Sequence, residues 1–520
     1  MSVIGLDLGT SGVRAVAFAA DGRMLGGASA PLTLRRDGRG RVELDAEEII
    51  AAAESVVHAA AAEALQLGDA VQAIGFSVLG EAVVPVDGSG APLAPVAVSM
   101  DTRGIEHAAG LGARLGEGRF TQITGQPLHG MFSVFKIMAG DDAWAAAAGY
   151  RCMGDLVAER WSGVAAIDLG QAARTGILDV DGGEWSTEIL EAVAASAPWV
   201  REDRLPVPVS SGTVIGGVHD QAAAVLGVAP GTALVAGTHD QAAAFLGAGG
   251  EAGERSVIAL GSSDCLTVAT RERPRGLETT GFASYRLDDE TWITLAGTAA
   301  GGWALEWLAA LLGRDIGDVF GALAEDPPSL IVLPYLAGSG TLDNDPSARG
   351  TIHGLTLDTT VPELARAVVE AAGFEFHKII AALEAHGVRV DDLQVTGAGA
   401  ENAAALSARA AAAGVRMTPV ARDASARGAA MLALRGLGGD ARDLLVAPGP
   451  AAAADPDPAS APWYAAQRAA YAALYDVTRG IAPHLTGRPR KQPSQIQPSQ
   501  IQPQIQPQIQ PQSHQKENTK

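Results

Sequence analysis

IGLDLGTSGVRAVAF, residues 4–18, carries the reading that decides the fold. An apolar run ends on a carboxylate, Asp7. A turn of Gly9, Thr10, Ser11 and Gly12 follows, and a second apolar run returns. The pattern predicts two strands joined by a tight turn. The turn's small residues let backbone N–H groups approach an anion, and the Thr10 and Ser11 hydroxyls add donors. A plain hairpin turn without a ligand has the same spacing. A related stretch recurs at 257–270, VIALGSSDCLTVAT, again strand, Gly261-Ser262-Ser263, strand. Two such turns, each opening one half of the chain, suggest two loops clamping one polyphosphate across a cleft. The chain thus reads as two α/β domains, residues 1–247 and 248–487.

Other elements fit that frame. Asp21-Gly22 between apolar runs predicts a hairpin. Residues 45–64 predict a helix capped by Asp45, and 71–78 a buried strand. A second hairpin is expected over 81–99, and mostly helical structure over 104–205. The second half adds helices near 302–312, 361–386 and 462–480, and the strand-to-helix bend LQVTGAGAEN at 393–402. From 488 the composition becomes a Gln/Pro/Ile repeat with little capacity to form a core. It predicts a disordered tail.

Composition bounds function. Of 520 residues, 47% are hydrophobic and 19% charged, enough for sizeable cores. A net charge of −21 argues against nucleic-acid binding. It does not exclude an anionic small molecule, which backbone N–H groups can hold. No apolar run is long enough for a membrane span, and no secretory signal is evident. The two cysteines, Cys152 and Cys265, fit a reducing compartment, so a cytoplasmic protein is expected. The same features leave room for a homodimer. No P-loop is present, nor a dinucleotide fingerprint in its required context.

HDQAAA occurs twice, at 219–224 and 239–244. The run before the second copy, ALVA, suits a buried central strand. The run before the first is bracketed by glycines, and its helix is cut short by Gly227, Pro230 and Gly231. Asp240 is therefore expected to do chemistry and Asp220 to cap a helix. His219 and His239 have no partner at metal-ligand spacing.

Together IGLDLGTSGVRAVAF, GTALVAGTHDQAAAFLGAG, VIALGSSD, LPYLAGSGTLDNDPSARGTIHGL and LQVTGAGAEN resemble the FGGY carbohydrate kinase family, over roughly residues 3–480. The resemblance implies a duplicated actin-like (ribonuclease-H-like) fold with an interdomain cleft. It implies ATP-dependent phosphorylation of a hydroxyl on a sugar, sugar acid or polyol. Asp7 matches the carboxylate that holds Mg²⁺ through water, with Gly9, Thr10 and Ser11 in one phosphate loop and Gly261, Ser262 and Ser263 in the other. Gly397, Ala398, Gly399 and Asn402 match the adenosine-binding bend. Asp240 matches the general base and Gln241 its substrate-binding neighbour. Glu81, Asp101 and Arg103 fall at substrate-contact positions, while Lys136 is read as structural. Leu79 stands where relatives often carry Gln, and Ser99 where Trp is usual. These departures place the chain in an atypical branch. Two other readings remain open: a non-catalytic ATP-binding regulator of the same fold, and an interaction protein working through its tail.

Overall fold

The computed structural model describes residues 2–116, 118–298, 300–420, 423–445 and 452–481. The tail expected from 488 lies outside them.

Two six-stranded sheets organise the chain. In the first, strands Ser2–Leu8, Gly12–Ala19 and Met24–Pro31 form an antiparallel meander. Val71–Val78 and Ala233–His239 then add in parallel beside Ser2–Leu8. In the second, Ser256–Leu260, Asp264–Thr270 and Thr291–Thr298 form the meander, and Asp392–Thr396 and Arg416–Pro419 add in parallel. Each sheet also has an antiparallel edge strand, Val214–Gly217 in the first and Ala283–Asp288 in the second. Without those edges the two strand orders are the same. This is the duplicated α/β architecture expected.

Local chemistry explains the parts. Gly22 takes φ +82° at the turn joining Gly12–Ala19 to Met24–Pro31. A parallel neighbour needs a crossover, and the helix Ala46–Gln66 supplies it. Asp45 caps that helix by accepting from the N–H groups of Glu47 and Glu48. Its apolar face, with Ile49, Ile50, Val56 and Val57, is buried in the first core.

The helices Asp240–Gly247 and Ala424–Gly436 follow the last parallel strand of each half and pack on each other. A Cβ on Gly247 would fall 1.9 Å from the Ala424 carbonyl oxygen, and one on Gly428 1.9 Å from that of Ala243. The Ala424–Gly436 helix also lies on the first sheet. There Gly5 and Gly75 sit so close that a Cβ would come 1.7 Å from Ala426 O and 2.1 Å from Ala429 O. The division at residue 247 therefore separates the strands but not these helices.

The hairpin expected over 81–99 is not regular. Val84–Val86 pairs with Gly149–Arg151, and Val96–Ala97 pairs with Val42–Leu44. Only isolated bridges, Val83–Ala97 and Val86–Pro92, join the two arms. Both arms are buried, and distant segments outcompete the local partner. Among the described residues no helix is long and apolar enough to cross a membrane. The closing helix Ala461–Thr478 buries Tyr464, Tyr471 and Tyr475. The hydroxyls of Tyr335 and Tyr471 donate to Glu375 Oε1 at 2.8 and 2.7 Å.

Candidate active site

The strand Ala233–His239 is buried along nearly its whole length and delivers His239 and Asp240 to the cleft. Asp240 opens its helix, and its side chain, 32% exposed, lines a cavity between the halves. Its Oδ1 lies 3.2 Å from His239 Nε2, yet no donor is aligned on it. His239 Nδ1 lies 3.1 Å from the Tyr285 hydroxyl, which comes from the second half. Burial holds the His239 ring far below its usual pKa, so it is neutral. The same desolvation raises Asp240 to about 7, and the carboxylates of Asp7 and Glu81 push the same way. Gly80 leaves room for this arrangement, since a Cβ there would meet His239 Nε2 at 2.9 Å and Arg174 Nε at 3.1 Å.

The cavity encloses about 430 Å³. Thr10, Glu81, Ser99, Arg174, Asp240 and Gln241 line it from the first half, and Ser263, Thr341 and Asn344 from the second. Glu81 is 3% exposed and has φ +65°, a conformation that is costly for a residue with a side chain. Its carbonyl accepts from Lys136 Nζ at 2.9 Å and Ser133 Oγ at 3.0 Å. Its carboxylate pairs with the Arg174 guanidinium. Arg174 also donates to Gln126 Oε1 at 2.9 Å and lies over the Phe132 ring. Lys136 is fully buried, and that burial lowers it to about 8. Its contact with the Glu81 backbone agrees with a structural role.

Asp101 and Arg103 do not reach the cavity. The Asp101 carboxylate accepts from Val42 N and from Arg103 Nε, each at 2.8 Å, and Arg103 also pairs with Glu43. Ser99, two residues earlier, is the one that lines the cavity.

A second cavity adjoins the first and shares Gln241 and Ser263 with it. Asp7, Gly261 and Gly397 line it. Ser77 Oγ donates to Asp7 Oδ1 at 2.6 Å. The turn after Asp7 closes through Gly9 N to Gly12 O at 3.0 Å, with Ser11 exposed at its tip. Gly397 has φ +95°, and a Cβ there would meet Leu260 O at 2.2 Å. Arg14, at the rim, pairs with Asp423 at 2.8 Å.

A third cavity of about 500 Å³ shares Gly261 and Ala398 with the second. Ser262, Gly399 and Asn402 line it, with apolar walls from Leu305, Ile316 and Phe320. Asn402 caps its helix by accepting from Ala405 N and donates to Phe320 O, each at 3.0 Å. Asp264 and Arg409 also line this cavity. Both are buried, and Asp264 Oδ2 and Arg409 Nε have no hydrogen-bond partner. Burial raises Asp264 to about 6.

Sequence reasoning missed Arg174, Tyr285 and Arg409, which carry no local motif, and Asp264, the last residue of the VIALGSSD stretch. It also missed Thr341 and Asn344. Positive φ at Leu342 and Asn344 marks their loop as sharply turned, and the Gly/Asn/Asp-rich run GSGTLDND at 338–345 is the available signal.

The first HDQ copy follows the edge strand Val214–Gly217 and opens a short helix, away from this cleft. Asp220 is exposed and is not the cap expected. His219 takes that position, its Nδ1 accepting from Ala222 N at 3.1 Å while Nε2 lies 3.1 Å from Arg160 O. A histidine in the tautomer that leaves Nδ1 unprotonated supplies the same acceptor as a carboxylate.

Paired sheets closing over connected cavities define a two-domain α/β enzyme with a large composite cleft. Residues 2–247 match the N-terminal domain, and residues 256–437 the C-terminal domain, of the FGGY family of carbohydrate kinases. The chain belongs to that family. It is 30% identical to a glycerol kinase of Citrifermentans bemidjiense over 84% of this chain and 90% of that protein. It is 31% identical to a xylulose kinase of Streptomyces rubiginosus over 74% and 76% of the two chains. The crystal structure of a xyloylose kinase from Brucella ovis superposes with a TM-score of 0.86 at 26% identity, covering 92% of this chain and all of that one. The chain is thus a phosphotransferase with an alcohol group as acceptor, and ATP is the donor its kinase family implies. A catalytic kinase is favoured over a nucleotide-binding regulator.

Proposed function

We propose that this kinase transfers the γ-phosphoryl group of ATP to a hydroxyl of a sugar, sugar acid or polyol held beside Asp240. The supporting observation is the order of the cavities. The first contains Asp240, the second Asp7 and Gly397, the third Gly399 and Asn402, and Gln241 and Ser263 stand where the first two meet. That order suits acceptor, phosphates and nucleoside in succession, which brings the attacking hydroxyl to the terminal phosphate.

Asp240 takes the proton of the attacking hydroxyl. Its carboxylate, 32% exposed, reaches the cavity, and a pKa near 7 matches a general base at neutral pH. Gln241 and Glu81 hold the acceptor. Asp101 and Arg103, engaged with Val42 and Glu43, steady the Ser99 loop beside it. Gly9, Thr10 and Ser11 are assigned to one side of the phosphates and Gly261, Ser262 and Ser263 to the other; Thr10 and Ser263 lining one cavity supports this. Gly397, Ala398 and Gly399 border the nucleoside with bare backbone, and Asn402 shapes that bend. Asp7 is the residue that would hold Mg²⁺ through water. The donor set fits, because Ser77 engages one carboxylate oxygen and leaves the other for a hydrated ion, which binds by few carboxylates together with phosphates. Bound there, the ion neutralises phosphate charge. Cys152 and Cys265 are both free thiols, which supports the cytoplasm as the working compartment.

The test is ADP release with Mg²⁺ across a broad panel of sugars, sugar acids and polyols. Acceptor-dependent release is expected with at least one, and its absence across the panel contradicts the reading.

A further inference from the structure

Resting on the assignment of the Asp240 cavity to the acceptor, we infer that the Glu81–Arg174 ion pair makes this enzyme select uncharged polyhydroxy acceptors over sugar acids. The argument is one of charge. Among the described residues lining the cavity, Arg174 is the one lysine or arginine. A bound carboxylate wants a free guanidinium or ammonium, because only that offsets its desolvation. Arg174 is not free. Its guanidinium pairs with Glu81, donates to Gln126 and rests on Phe132. Both members of the pair are more than nine-tenths buried, so solvent screens their attraction weakly.

The other groups point the same way. Asp240 adds a second carboxylate to the wall, and Asp7 lines the adjoining cavity. The two histidines of the wall, His129 and His239, are both shifted toward the neutral form, chiefly by burial. A sugar acid would thus enter a cavity with two acidic side chains and one neutralised base. An uncharged ketose or polyol meets complementary groups instead: carboxylates accept from its hydroxyls, and the Gln241 and Asn344 amides donate to its oxygens.

Glu81 is built to stay in place. Its backbone holds φ +65°, and both Lys136 and Ser133 donate to its carbonyl. A strained buried residue persists where its surroundings over-determine it. The Lys136 contact fixes where the carboxylate sits, and the carboxylate fixes where the guanidinium points.

The experiment compares kcat/KM for neutral ketoses and polyols with that for aldonates of the same carbon number, by coupled ADP release, in wild type and Glu81→Gln. Wild type is expected to favour its best neutral acceptor by at least about 100-fold. Glu81→Gln keeps the shape but frees Arg174, so the neutral-to-aldonate ratio is expected to fall at least tenfold. A matching melting temperature shows that the variant folds. Equal or better turnover of aldonates by wild type overturns this inference and leaves the kinase reading standing. An unchanged ratio in a folded Glu81→Gln protein also overturns it. No turnover with any acceptor overturns the kinase reading and this inference with it.

Discussion

His239 Nε2 lies 3.2 Å from Asp240 Oδ1, and the ring that carries it is buried against the Tyr285 hydroxyl of the other half. Asp240 thus has a neutral imidazole beside it, and the lowering by the Arg174 charge is outweighed. Burial, then Asp7 and Glu81, raise it to about 7. The base must be ionised to accept a proton, so activity is lost as pH falls through that value. The expected profile of kcat/KM has an acid limb with its midpoint near pH 7 and a plateau above it. A limb near pH 4, the value of an ordinary carboxyl, contradicts the assigned environment.

The helices Asp240–Gly247 and Ala424–Gly436 meet through glycines. At Gly428 a Cβ would fall 1.9 Å from the Ala243 carbonyl oxygen, which is backbone and cannot swing away. Gly428→Val is expected to destabilise the protein by about 2 kcal/mol or more, read from urea unfolding. It should also lower kcat, because the displaced helix carries Asp240. Gly110→Ala, with open space around the site and no positive φ, is the control, since both replacements remove a glycine but only Gly428→Val forces the helices apart.

Asp264 and Arg409 leave unpaired buried atoms on the wall of the third cavity. Both residues line that cavity, so a nucleoside there would lie against them. Asp264→Asn removes a charged acceptor, so KM for ATP is expected to rise about tenfold, in line with the roughly 1.5–3 kcal/mol of a charged hydrogen bond. KM for the acceptor should hold within about twofold. Equal changes in both would place these residues in folding rather than nucleotide binding.

Legibility followed sequence distance. The Asp7 turn, the Asp21-Gly22 hairpin and the Asp45-capped helix rest on neighbours within a few residues, and each is where the sequence places it. The second half repeats the same local pattern, so duplication was readable too. Arg174 was not readable, because its partner Glu81 lies 93 positions away and only packing of the Leu169–Arg174 helix joins them. The hairpin over 81–99 failed for the same reason, as its arms pair with strands at 149–151 and 42–44. His219 was missed as a cap because histidine is seldom one. Asp101 and Arg103 match a family position by type, but their charges are consumed by each other and by Glu43.

The two HDQ copies test the account most directly. Asp240 lines the cleft, whereas Asp220 is exposed beside an edge strand and does not even cap its helix. Turnover of Asp240→Asn and Asp220→Asn should be measured side by side with the best acceptor. Asp240→Asn is expected to lose at least about 100-fold in kcat, as for removal of a general base. Asp220→Asn should keep wild-type turnover and lose no more than about 1 kcal/mol of stability, the size of a charge effect in a first helical turn. Loss of turnover in Asp220→Asn with activity retained in Asp240→Asn would contradict the central claim.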